Sequence, residues 1–162
     1  MKNKDRIIQT GKEVISKEYE SVGRLLNYID NEFVKCVDLI LNSKGRVIIT
    51  GIGKSAIIAE KITATLNSTG SPAVFMHAAD AIHGDLGIVR KNDVVICWSK
   101  SGNTPEIKVL VPYIKKLGNA LVAFVSNTDS FLANQADIVI KTTVDKEACP
   151  YNLAPTSSTT AQ

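Results

Sequence analysis

The sequence predicts an α/β domain, a three-layer αβα sandwich around a five-stranded parallel sheet in the flavodoxin-like order 2-1-3-4-5. Three observations lead there. Five short apolar runs recur along the chain, helical segments stand between them, and the conspicuous polar stretches follow the runs. Strands buried on both faces read as unbroken apolar runs, and strands alternating with helices build parallel sheets covered on both sides. Right-handed crossovers make the doubly wound order the natural one.

The elements follow in order. Residues 4–27 carry apolar side chains at Ile7, Ile8, Val14, Ile15, Leu25 and Leu26 with charges between them, the spacing of an amphipathic helix with weak points at Gly11 and Gly23. Residues 31–42 form a second helix with Phe33, Val34, Val37, Ile40 and Leu41 on its apolar face, stopped by Ser43-Lys44-Gly45. The pattern then changes to strands: 46–50, ending in Gly51-Ile52-Gly53, then 73–76, 93–98, 120–125 and 137–140. Helices are expected over 54–68, 104–117 and 129–135. No repeat, linker or low-complexity tract divides the chain, so residues 1–162 are expected to form a single domain, with N-terminal helices over 1–43 and the sheet core over 44–162.

Composition narrows the function classes. The 162 residues are 44% hydrophobic and 22% charged, which suits one globular domain and excludes a disordered or collagen-like chain. The net charge of +3 arises wholly in residues 1–61, with 11 basic against 8 acidic side chains, and no Lys/Arg block marks a nucleic-acid footprint. Cys36, Cys97 and Cys149 are odd in number and widely spaced, which argues against a disulfide framework or zinc knuckle and fits a reducing cytosol; Cys97, within VVICW, reads as a buried small hydrophobe. The N-terminus is too charged for a signal peptide, and no stretch approaches the roughly 18 apolar residues of a membrane span. A cytoplasmic protein with no membrane or nucleic-acid partner is expected.

In doubly wound sheets ligands bind beyond the carboxyl ends of the strands, where two loops stand out. The first strand runs through TGIGKSA (50–56) into a helix. A P-loop would need glycine where Ile48 stands and is rejected. A dinucleotide fingerprint GxGxxA matches at Gly51, Gly53 and Ala56, but His77 occupies the place of the acid wanted at the end of strand two. A sugar-phosphate loop using Gly53, Lys54 and Ser55 is the third reading, and an unliganded strand–helix turn the fourth. The second loop, Ser99-Lys100-Ser101-Gly102-Asn103-Thr104-Pro105-Glu106, bears three hydroxyls ahead of a helix that Pro105 can start. Capping needs one hydroxyl. Ser99, Ser101 and Thr104 around Gly102 make a nest for a phosphate dianion without metal, favouring a small phosphorylated metabolite and calling for no cofactor.

SKSGNTPE resembles the SxSGxTxE pattern of sugar isomerase (SIS) domains. With TGIGKS, HAADAIHGDLG and DKEACPYNLAPTSSTT, the chain over about residues 10–162 is similar to the D-arabinose-5-phosphate isomerase branch. The resemblance implies interconversion of D-ribulose 5-phosphate and D-arabinose 5-phosphate, feeding 3-deoxy-D-manno-octulosonate and lipopolysaccharide synthesis. It places Glu147, Glu106 and Lys54 at family active-site positions and His83 at the family's pocket histidine. Glu147 is the first choice for general base, a carboxylate after the fifth strand expected to gain a raised pKa in a semi-enclosed pocket. Glu106 serves either catalysis or the charge of a helix N-terminus. Lys54 steadies the enediolate oxygen or the phosphate, and His83 assists ring opening or holds sugar hydroxyls. His77, Asp80, His83 and Asp85 match no strong zinc spacing, so no catalytic metal is expected.

The family continues past TSSTT into a closing helix, a further functional histidine and often paired CBS domains. Thr156 to Thr159 therefore read as the cap of a helix lying beyond Gln162, and the chain as a portion of a longer protein with no CBS domain of its own. Family domains assemble as dimers of dimers, with the N-terminal helix pair a candidate interface for a homodimer or homotetramer. The alternative function is a non-catalytic sensor of a sugar phosphate or of an end-product nucleotide sugar, such as CMP-linked octulosonate, which as a feedback ligand would share the pocket.

Overall fold

A computed structural model describes residues 3–162; residues 1 and 2 of the expected N-terminal region lie outside the described residues. Helix α1 (Asn3–Arg24) passes into a 3₁₀ turn, Leu25–Tyr28. The helix expected over 4–27 thus ends just past Gly23, whereas Gly11, the other weak point, is accommodated within it. Helix α2 (Asn31–Asn42) starts on Asp30, whose carboxylate accepts from the N–H groups of Glu32 at 2.9 Å and Phe33 at 3.3 Å.

Strands β1 (Val47–Gly51), β2 (Ala73–His77), β3 (Val94–Trp98), β4 (Ala120–Val125) and β5 (Ile138–Lys141) form one parallel sheet in the order β2-β1-β3-β4-β5, the expected topology. Between them run α3 (Lys54–Ser68), the short α4 (Ala78–Ala81), α5 (Pro105–Leu117) and α6 (Phe131–Gln135), and α7 (Ser157–Thr160) follows β5. Alternation within β1 divides the core. Ile48, with Val95, Cys97 and Leu121, packs under α5 and α6; Ile49, with Ile96, Trp98 and Val122, packs under α2 and α3. Cys97 is fully buried, and loss of water pushes its thiol up to about 12, in keeping with a core role.

The stop after α2 differs in mechanism from the expected glycine cap. Ser43 ends the helix in extended backbone. Gly45 serves instead for close approach, since a Cβ there would lie 2.3 Å from the Asn92 carbonyl oxygen. That contact belongs to a clamp at the amino edge of the sheet. Buried Asp93 accepts from the Arg46 backbone N–H at 2.8 Å, from the Arg46 guanidinium at 2.8 Å and from the Arg90 N–H at 2.9 Å. Burial pushes the Asp93 carboxyl up, but these donors outweigh it and hold it below the usual carboxylate range. Asp93→Ala leaves Arg46 half-buried without its counter-ion and is expected to cost about 3–5 kcal/mol in urea unfolding; a loss under about 1 kcal/mol would show the clamp to be ornamental to stability.

Helix α1 stands apart from both cores. Ser21 is its one buried residue among those described, while Ile7, Ile15 and Tyr19 are 65%, 71% and 77% exposed. Among the described residues, no helix is long and apolar enough to cross a membrane.

Candidate functional site

The site is built at the carboxyl edge, where β1, β3 and β4 end side by side. The turn after β1 needs glycine at 53, whose backbone sits at φ 62° and ψ −133°, a region closed to side chains. Without a side-chain cap, the first N–H groups of α3 stay open, and Lys54 and Ser55 border the cleft. After β3 the chain turns at Gly102, with φ 64°. Its N–H meets the carbonyl and hydroxyl oxygens of Ser99, both at 3.1 Å, while its carbonyl accepts from the Leu132 N–H at 3.0 Å. Asn103 braces the loop by accepting from the Phe131 N–H at 3.0 Å. The strand ends are joined by main chain: Ser99 N–H donates to the Phe124 carbonyl at 3.1 Å and Ser126 N–H to the Lys100 carbonyl at 3.0 Å.

The result is a cleft of about 470 Å³ bordered by Lys54, Ser55, Ser99, Lys100, Ser101 and Thr104, by Ser126 and Asn127 after β4, and by Ser158, Thr159 and Gln162 on its far wall. That size suits a small metabolite. Thr104 occupies the N-cap position of α5 without capping it, and its hydroxyl is buried with no hydrogen-bond partner among the described residues. A buried polar group without a partner is costly, so this hydroxyl is suited to meet a ligand. A larger groove of about 670 Å³ opens at the amino edge beside Lys44, Arg90 and Lys91, the wrong end for a ligand in a sheet of this type.

The five side chains Lys54, Ser55, Ser99, Ser101 and Thr104 are thus brought together, and Gly53 and Gly102 shape the loops that carry them. Three expected residues, Glu106, His83 and Glu147, stand elsewhere. Glu106 is half-buried at the second position of α5 and does not border the cleft; its charge lies in the first helical turn. His83 is exposed after α4, away from the cleft lining. His77 Nδ1 lies 3.8 Å from Asp80, and among the described residues no three His, Cys, Asp or Glu side chains gather where one metal ion could sit.

Glu147 departs most from expectation. It is 5% exposed and borders a separate depression beside α1. One carboxylate oxygen accepts from Lys100 Nζ at 2.5 Å; the other accepts from the N–H groups of Thr156 at 2.8 Å and Ser158 at 3.1 Å and from the Thr156 hydroxyl at 3.2 Å. Burial alone would raise its pKa, as expected from the sequence, but the ammonium and these donors reverse the sign and bring it to about 2. The expectation of a raised pKa is therefore corrected: the carboxyl is buried among donors rather than in an apolar pocket.

Sequence reasoning gives no role to Lys100, Ser126 or Asn127, all of which border the cleft. For the last two a signal exists, since Ser126-Asn127-Thr128 follows a strand as the first two loops do. Thr156, expected at the start of a helix, occupies the N-cap position of the short α7, which packs on α1 and carries Ser158 and Thr159 to the cleft.

Comparison with known proteins shows the family. The family model for the SIS domain matches residues 39–162. The arabinose 5-phosphate isomerase KdsD of Pseudomonas aeruginosa is 48% identical over 153 residues, covering 94% of this chain and 47% of that protein. KdsD of Francisella tularensis is likewise 48% identical, over 95% of this chain and 48% of its own. The chain thus spans about half the length of the curated relatives it matches. Among solved structures, a protein of Escherichia coli CFT073 in complex with arabinose 5-phosphate superposes with a TM-score of 0.94 at 40% identity, covering 99% of this chain and 85% of that one.

Proposed function

The chain belongs to the SIS domain family, and from that premise we propose that it carries the phosphosugar-binding and isomerising site of an arabinose-5-phosphate isomerase. One observation supports this above the rest: hydroxyls from the β1 and β3 loops meet in a single cleft beside Lys54 and Lys100, with one of them, on Thr104, buried and unpaired. Neutral hydroxyls and main-chain N–H groups fit a phosphate monoester and need no metal.

In this reading Ser55, Ser99, Ser101 and Thr104 hold the phosphate and leave the other end of the sugar facing the far wall. A base removes the proton from C1 of D-ribulose 5-phosphate; the electron pair forms the C1–C2 double bond and the C2 carbonyl takes up a proton, giving the enediol. Return of a proton to C2, with loss of the O1 proton, yields the aldehyde of D-arabinose 5-phosphate. Lys54, which borders the cleft, is assigned the enediolate charge, and Glu147, joined to the far wall through the Ser158 N–H, the carbon-bound proton. Glu106 and His83 lie outside the cleft of this chain, and their assignment to the proton shared by the two oxygens and to the sugar hydroxyls rests on the family resemblance alone. The reaction serves 3-deoxy-D-manno-octulosonate and lipopolysaccharide synthesis in the cytoplasm, and a nucleotide sugar from that route would compete for the same cleft. The apolar side chains left exposed on α1 and α2, Ile15 and Leu41 among them, support self-association through this helix pair.

The test is interconversion of D-ribulose and D-arabinose 5-phosphates by the chain. Turnover above a heat-inactivated control is expected. Stabilisation by these sugars without turnover would make the domain a sensor, and the absence of both turnover and stabilisation would overturn the reading.

A further inference from the structure

The cleft contains a cation that the isomerase reading leaves without a task. Lys100 sits between Ser99 and Ser101 and borders the cleft, yet its ammonium reaches across to a carboxylate 47 positions later in the chain. Its main chain cannot follow, because the Lys100 carbonyl is fixed by the Ser126 N–H. Glu147 in turn gathers the start of α7 through the N–H groups of Thr156 and Ser158. The ammonium therefore links the hydroxyl loop to the wall formed by Ser158 and Thr159.

We propose that Lys100 is a positioning residue for Glu147, holding the carboxylate in its buried place against α7 until an anion in the cleft draws the ammonium away. The lysine is the half of the pair able to move: its side chain is 46% exposed, against 3% for Glu147. A phosphate dianion among the hydroxyls competes for the same ammonium, because a doubly charged oxyanion attracts it more strongly than one carboxylate. Once released, Glu147 keeps its backbone donors but loses its counter-ion. Its proton affinity then rises toward the range a general base needs. Base strength thus arises only when substrate is present.

The other charged and titratable groups around that depression are Lys17, Glu20 and Arg24 on α1, and Asp145, Lys146 and Cys149 beside Glu147. Arg24 is paired with Asp145, and among the described residues Lys100 alone forms an ion pair with Glu147. The release step deepens the isomerase reading and rests on it; the positioning step stands on geometry alone.

The experiment is a pH titration of the chain carrying 13C-labelled glutamate carboxyls, with the Glu147 signal assigned by its loss in Glu147→Gln. In Lys100→Met the Glu147 midpoint should rise by at least about one pH unit over wild type, while Lys100→Arg keeps it low. A midpoint unchanged in Lys100→Met overturns the proposal. Saturating D-arabinose 5-phosphate or inorganic phosphate should raise the wild-type midpoint toward that of Lys100→Met. If either ligand perturbs the amide signals of residues 99–104 but leaves Glu147 unmoved, release is overturned. If neither perturbs them, release and the isomerase reading fall together, and the comparison of Lys100→Met with Lys100→Arg still decides the positioning role.

Discussion

Glu147→Gln is expected to lower kcat for the interconversion of D-ribulose and D-arabinose 5-phosphates roughly a thousand-fold while changing KM little, the signature of a lost general base. The amide nearly matches the carboxylate in shape but cannot accept the proton. The substitution also tests the hub, because a Gln side chain has one acceptor oxygen where Glu147 uses two. If that oxygen stays on Lys100, the new NH₂ group faces the Thr156 and Ser158 N–H groups, donor against donor. A stability loss of about 1–3 kcal/mol should accompany the kinetic effect. Its pH dependence has a definite sign. The folded carboxyl titrates at about 2, against the ordinary 4.5, so its contribution is complete above the ordinary value and disappears as pH falls toward the folded one. The gap in urea midpoint between wild type and variant should therefore narrow between about pH 7 and pH 3. A variant with wild-type kcat would remove Glu147 from the chemistry, whereas a constant gap would mean the carboxylate is not held as described.

Gly102→Ala is expected to weaken binding of D-arabinose 5-phosphate more than tenfold and to cost about 2–4 kcal/mol of stability, since strain and collision act together. At φ 64° an added Cβ would lie 2.1 Å from the Ser130 Oγ and 2.5 Å from the Ser130 Cβ. Ser130 cannot yield easily: it is fully buried and its hydroxyl caps α6 through the Ala133 N–H at 3.3 Å. The loop must therefore move, taking Ser99 and Ser101 out of register with Ser55. Gly118→Ala is the control. Its φ of 76° imposes similar backbone strain, but nothing lies within 4 Å of the added carbon and the position is remote from the cleft. It should cost about 1–2 kcal/mol and leave affinity unchanged. Calorimetric titration and thermal melts separate the two, and equal affinity losses would sink the assignment of Gly102 to the phosphate loop.

The parts of this molecule legible in the amino-acid order are those written locally. Val47 to Thr50 and Val94 to Trp98 can be read as central strands because burial on both faces requires every residue to be apolar or nearly so. The polar loops after β1 and β3 can be found because ligands collect at strand carboxyl ends. The state of Glu147 cannot be found that way. Its partners are nine, eleven and 47 positions distant, and two of them act through backbone N–H groups, which no side-chain pattern advertises. Burial is foreseeable from the sequence, and a raised pKa is its usual consequence, but the donors met after folding outweigh it. His83 shows the converse: it lies near His77 and Asp80 in sequence, yet stands exposed outside the cleft of this chain.

The two backbone bonds that tie the β3 loop to the end of β4, from Ser99 to Phe124 and from Ser126 to Lys100, use no side chain at all. These two ties hold whatever side chains stand at those positions, so the strand ends stay joined when the groups they present are exchanged. Variation at Asn127, which borders the cleft without being assigned to the phosphate, is expected to alter which ligand the cleft accepts while leaving these ties in place, so the scaffold is a favourable starting point for redirecting specificity.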